Sequence, residues 1–433
     1  MADIRPFRAF RYDPARVSLA DVVTQPYDKI TPQMQERYQQ ASPYNLVRII
    51  LGRKETSDNQ RSNVYCRAAA CLADWRRSGV LKQDSASAIY GYSQSFRLPD
   101  SDQLLERRGF IALGRLEDYS SGVVFPHEQT LAKPKADRLS LLRATRAHFG
   151  QIFMLYEDSG HIQRLLANNT DRESAITDEF GVLHRMWSVD DQAVVQSVKA
   201  EMTDKKLIIA DGHHRYETAL AYRDECRTAG SATVSGKEAP AEYVMMTFVN
   251  IHDPALCILP THRVVHSLSA FSPEQFRKSA RAFFDVDEVD PAIDSLRGRA
   301  MLREAGRSGT AMLAVSANRA FFLHHPNPAM PELAGVSIHQ QSLDVVQLHK
   351  CLLEKVLNLT EESIRNQQNI SYVRDPAQAL SEVREGRANL AFLINPCRVA
   401  QVRDIAFAGE VMPQKSTDFY PKLLSGLTIY ALD

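Results

Sequence analysis

Short apolar runs alternate with amphipathic stretches along the whole chain. Apolar residues recurring every three or four positions predict a helix, and short apolar runs bounded by turn residues predict strands. "SNVYCRAAACLADWRRSGVL" (62–81) has the helical spacing and closes at Gly79, and "DDQAVVQSVKAEM" (190–202) repeats it. "YNLVRIIL" (44–51), "KLIIA" (206–210) and "YVMMTFVNI" (243–251) read as strands. "SAIYGYSQSFRL" (87–98) and "RRGFIALGRLEDY" (107–119), joined by "PDSDQ", predict an antiparallel hairpin. "RLSLLRATRAHFGQIFMLYED" (138–158) begins helical and finishes as a strand near Ile152–Tyr156.

Two loops stand out, "TAGSATVSGKEAPAE" (228–242) and "HHPNPAMPELAG" (324–335). From about residue 270 the order becomes helix, strand, strand, helix. The pattern predicts an α/β protein of α+β type with mixed sheets. A chain of 433 residues is too long for one ordinary core. Three regions are expected: an N-terminal α/β region over 1–120, a motif-bearing core over 121–265, and a C-terminal α/β domain over 266–433.

Composition narrows the class. Hydrophobic residues make up 44% and charged residues 24%, as in soluble globular proteins. Lys+Arg and Asp+Glu number 52 each, so net charge gives no electrostatic reason to expect nucleic acid as a partner. The six cysteines form no CxxC pair and lie mostly in apolar runs, the usage of a reduced protein. The N-terminus is charged from its third residue, and no apolar run approaches the roughly 18 residues of a membrane span. A cytoplasmic protein without membrane attachment is expected; oligomeric state is open.

Three segments carry candidate chemistry. In "IIADGHHRYETAL" (208–220) a strand runs through Asp211 and Gly212 straight into a helix. Such a turn gathers backbone N–H groups and the positive end of the helix dipole at one point, and His213, His214 and Arg215 add donors suited to phosphate oxygens. Asp211 is placed to hold Mg²⁺ or steer a hydroxyl group; the plainer alternative makes it a helix cap with surface histidines. In "VVFPHEQTLAKPKADR" (123–138) His127 stands beside Glu128, a candidate general base, with Lys133, Lys135 and Arg138 following. A solvated basic loop would look the same. In "GEVMPQKSTDFYPKLLSGL" (409–427), Lys415 precedes Ser416 and Thr417, but the glycine spacing of a P-loop is missing. A tail packed on another domain is the alternative there. A rival reading gathers His252, Asp253, His262 and His213 or His214 around a metal, although no HExxH helix is present and the ligands remain unassigned.

The chain resembles the bacterial family known as domain of unknown function 1015. The resemblance rests on "RPFRAFRYDP", "QPYDKI", "SPYNLVRIIL", "FPHEQTLAKPKADRLSLLRAT", "GVLHRMWSV", "IIADGHHRYETAL", "ILPTHRVV" and "MPQKSTDFYPKLLSGL". More distantly, "PHE" followed by "DGHHR" is similar to the paired motifs of free-serine kinases in the ParB/sulfiredoxin-like superfamily. That resemblance implies a phosphate-binding core. Carried over by position, Glu128 would be the base, with Asp211, His213, His214 and Arg215 around the phosphates and His127 assisting; independently of the resemblance, Gly212 permits the sharp turn, and Lys133 and Lys415 are secondary phosphate candidates. Here more than eighty residues separate the two motifs, and large flanking regions are present that the small kinases lack. The implied function is a kinase using ATP or ADP with Mg²⁺ on a small hydroxyl metabolite, with free L-serine in the lead. A nucleotide-binding regulator without turnover and a metal-dependent phosphohydrolase are the alternatives.

Overall fold

The computed structural model describes all residues except 100, 101, 130, 131, 168–172, 231, 232, 235 and 236; of 132–134, 234 and 237 it describes only the backbone. The protein is α/β with mixed sheets, and it divides into two compact units. The first comprises Met1–Pro126, Thr130–Leu256 and Pro421–Asp433; the second comprises His127–Gln129 and Cys257–Tyr420.

The first unit is organised by one large mixed sheet. Its strands run in the order Val124–Phe125, Leu207–Asp211, Ile152–Tyr156, Tyr243–Asn250, Leu104–Arg115, Ile89–Arg97, Leu183–Val189 and Glu173–Thr177, with Ile4–Arg5 also pairing Leu104–Arg115. The expected hairpin is present, with Tyr90 opposite Ile111 and Tyr92 opposite Gly109. Every residue of Ile152–Tyr156 and Tyr243–Asn250 is buried, which explains why both read as mostly apolar runs without polar alternation. The rings of Phe110 and Phe248 stack at 5.0 Å in this core. The helices Val64–Arg77 and Gln192–Met202 start where Asn63 and Asp191 accept hydrogen bonds from the first backbone amides.

"YNLVRIIL" is not a strand. Val47–Ile50 forms a helical turn. The buried Asn45 side chain accepts from the Val47 N–H at 2.9 Å and donates to the Asp21 carbonyl at 2.7 Å, so a local side-chain bond takes the place of a ladder.

The second unit is built on a six-stranded antiparallel sheet ordered Asp285–Val289, Ala320–His324, Ala311–Val315, Leu390–Ile394, His262–Val265 and Ile370–Val373. Val264, Leu313, Val315, Leu380 and Leu393 lie in its core. The last helix of the order expected from about residue 270, in "LDVVQLHKCLLEKVL", is largely a π-helix over Leu348–Val356. No helix among the described residues is long and apolar enough to cross a membrane.

Candidate functional site

The strand Leu207–Asp211 leads into the phosphate-binding candidate. Its pairing with Ile152–Tyr156 shifts register between Ile209 and Asp211, a bulge that re-aims the strand end just before the turn. Gly212 follows in the left-handed region, with φ +95°, and the helix His213–Thr228 begins at once. Gly212 stands at the N-cap position, so the cap residue itself offers no side-chain oxygen to the first amides. The first turn directs its backbone amides and the positive end of its dipole at this glycine turn.

Charge collects around it. Lys422 Nζ donates to Asp211 Oδ2 at 2.8 Å, and Arg215 Nη2 lies 3.7 Å from Asp211 Oδ1. Arg215 Nη1 also donates to the Gln151 carbonyl. Burial alone would push the Asp211 carboxyl up, but Lys422, Arg215 and Lys29 outweigh it and hold the group well below the usual carboxylate range. Three cations thus converge on this one carboxylate. Lys422 is itself fixed by a buried network. Gln94 Nε2 donates to the Lys422 carbonyl at 2.8 Å, and Arg107 Nη2 donates to the Pro421 carbonyl at 2.6 Å.

A cavity opens beside Arg215, lined also by Tyr27, Arg138, His148, Gly150 and Ser425. The Arg138 guanidinium lies 4.2 Å from the centre of the Tyr27 ring. Burial, aided by Asp28, pushes the Tyr27 hydroxyl up to about 12, and burial lowers His148 to about 4. Lys135 pairs with Glu217, so its charge is engaged by the same helix. Lys133 lies outside the residues whose side chains are described.

His127 and Glu128 belong to the second unit. Glu128 Oε1 accepts from the Lys415 backbone N–H at 2.8 Å, and Oε2 lies 3.4 Å from the Thr417 hydroxyl. His127, wholly buried, places Nε2 2.8 Å from the same hydroxyl. Arg263, also wholly buried, donates to the Lys415 carbonyl at 3.1 Å. Lys415 has φ +57°, a left-handed turn held from both sides by these bonds. The structure thus brings together His127, Glu128 and Lys415 in one unit, and Asp211, Gly212, His213, His214 and Arg215 in the other.

The match to a family of proteins decides the affiliation: residues 4–346 fit the model for "Protein of unknown function (DUF1015)". The chain belongs to the DUF1015 family. No curated protein matches this DUF1015 chain. Solved structures similar to it include a free serine kinase in complex with AMP, with 14% identity, 76% of this chain and 97% of that chain covered, and a TM-score of 0.36. SbnI from Staphylococcus aureus with a C-terminal truncation shares 10% identity, with coverages of 73% and 87% and a TM-score of 0.35. A conserved hypothetical protein from Pyrococcus furiosus shares 13%, with coverages of 69% and 87% and a TM-score of 0.34.

In this DUF1015 protein the sequence reading missed Lys422, Thr417 and Arg263 as partners of the motif residues. Lys415 and Lys422 both lie beyond residue 346, where the family match ends. Two residues of the rival metal set have partners of their own. His252 Nε2 lies 2.9 Å from Glu157, and the Nδ1 of His262 accepts from the Ile394 N–H at 3.3 Å.

Proposed function

We propose that the protein is a nucleotide-dependent phosphotransferase acting on a small hydroxyl compound, with free L-serine as the leading acceptor. The carrying observation is the N-terminus of His213–Thr228, entered through the left-handed Gly212 turn and set among Arg215, Lys422 and Lys29. A phosphate chain meets there a helix dipole, backbone amides and three cationic side chains, the kinds of group that stabilise charge during phosphoryl transfer. Tyr27 and Arg138 beside Arg215 provide flat, polar-edged surfaces for the rest of a nucleotide.

Asp211 is the carboxylate that would share Mg²⁺ with nucleotide phosphates, and the ion supplies charge neutralisation. Its Oδ2 already accepts from Lys422, so a metal would have to share that oxygen with the ammonium or use Oδ1. Glu128 is the residue we assign as general base. Its carboxylate is oriented by the Lys415 amide and Thr417 and would accept the proton of the acceptor hydroxyl. The same two bonds favour a second reading, in which Glu128 only braces the Lys415 turn and the protein binds nucleotide as a regulator without turnover.

Phosphorus NMR on the protein with Mg²⁺ and ATP or ADP, with and without L-serine, separates these readings. A phosphomonoester signal that appears only with serine is the expected result. Glu128→Gln should then lose turnover by roughly 10²–10⁴-fold while nucleotide still raises the melting temperature. Wild-type turnover in that variant removes Glu128 as the base. Stabilisation by nucleotide without product selects the regulator, and phosphate released without an acceptor selects the hydrolase.

A further inference from the structure

Successive side chains on a strand point to opposite faces, so adjacent histidines at a strand end ordinarily diverge. His324 and His325 converge instead. His324 ends the strand Ala320–His324, and His325 adopts φ +45°, a left-handed conformation uncommon outside glycine. It does so immediately before Pro326, where extended backbone is the norm. The two Nδ1 atoms come within 2.9 Å. The chain beyond is held by the Asn327 N–H, which donates to the Phe283 carbonyl at 2.8 Å.

The neighbouring edge strand completes the cluster. Asp285 stands directly opposite His324 in the ladder, and its Oδ2 lies 3.3 Å from His325 Nδ1. Potential ligand atoms of Asp285, His324 and His325 all lie within 4.8 Å of one another. Asp287, two residues along the same face, sits 2.8 Å from His324 Nε2. A proton on that nitrogen leaves the Nδ1 lone pair directed at the cluster, the arrangement by which a carboxylate orients a metal-bound imidazole. The Phe322 ring, stacked on His324 at 5.1 Å, holds the imidazole from the side.

We propose that Asp285, His324 and His325 bind a divalent transition-metal ion of the zinc type, with Asp287 as a positioning residue. Two nitrogens bound about 2.0–2.1 Å from one ion lie about 2.9–3.4 Å apart for coordination angles between a right angle and the tetrahedral value. The Nδ1 pair already has that spacing. Two imidazoles and one carboxylate select zinc, cobalt or nickel over magnesium or calcium. Three protein ligands leave a position for water, and the exposure of Asp285 and His325 opens that position to solvent.

Calorimetric titration of the full, tag-free chain with zinc chloride tests the site, with cobalt(II) absorption as a second readout. Wild type should bind one equivalent more than His325→Ala. Asp287→Asn should keep that equivalent and weaken it about 10–100-fold, because only the orientation of His324 is disturbed. Equal stoichiometry and affinity in wild type and His325→Ala, or a wild type that takes up no zinc, overturns the proposal. Since His325 is exposed at a strand end, its variant should fold, and unchanged circular dichroism shows that it has.

Discussion

At Asp211 burial and charge pull in opposite directions. Burial favours the neutral acid, while Lys422, Arg215 and Lys29 favour the carboxylate and prevail. An acid whose folded pKa is depressed contributes stability that is complete above its unfolded value, near 3.8, and is lost as pH falls through the folded value. Asp211→Asn should therefore cost ~3 kcal/mol at neutral pH, since it leaves Lys422 without its anion. In urea titrations the gap between variant and wild type should stay constant down to pH 5 and close below the unfolded value; a gap that is unchanged at pH 2 would remove the ion pair as its cause. His148 works in a higher window. Burial lowers it from 6.5 to about 4, so the unfolded chain takes up its proton first and stability is lost as pH falls between those values. His148→Phe keeps a ring stacked on Tyr430 and removes the titration. The fall in urea midpoint from pH 6.5 to 4 should be shallower in that variant, with His262, lowered by burial to about 3, supplying part of what remains. An equally steep fall in both proteins would exclude His148.

Among the elements, the strand–turn–helix at 207–228 concentrates its constraint in Gly212. A Cβ there would meet Arg215 Nε at 3.0 Å, and φ +95° is strained for any L side chain. Gly212→Ala should cost about 1–2 kcal/mol and displace the Arg215 fork, so nucleotide should raise the melting temperature less than in wild type. An undiminished nucleotide shift would mean that Arg215 does not meet the phosphates. This element was legible in the sequence because its signals are local: a short apolar run, one glycine, then helical spacing. The 89–115 hairpin was legible for the same reason. "YNLVRIIL" was not, since an apolar run of that length suits a strand or a helical turn equally, and buried Asn45 decided between them. The π-helix over Leu348–Val356 keeps apolar spacing close enough to an α-helix to pass for one. Lys422 was out of reach for a different reason. It meets Asp211 across 211 residues of chain, and nothing in the charge pattern near either one names the other.

For the whole molecule, the most consequential connection is the return of Pro421–Asp433 to the first unit after the second has been completed. The segment is bonded along its length: Ser425 N–H to the Thr24 carbonyl, Gly426 N–H to Phe149, Ile429 N–H to Phe10 and Leu432 N–H to Arg146. Leu423, Leu424, Leu427, Ile429 and Leu432 are all buried. At about 1.5–3 kcal/mol for each such side chain, the tail contributes on the order of 10 kcal/mol, comparable with the net stability of an ordinary domain. Ending the chain after Tyr420 should therefore unfold the first unit, whereas Lys422→Met should leave it folded, somewhat less stable, and unable to gain stability from nucleotide. Hydrogen exchange at the buried strand Tyr243–Asn250 distinguishes the two variants, with protection lost in the truncated chain and kept in the point variant. Full protection in the truncated chain would show that the tail is dispensable for the fold and would leave positioning of Lys422 as its one role in this unit.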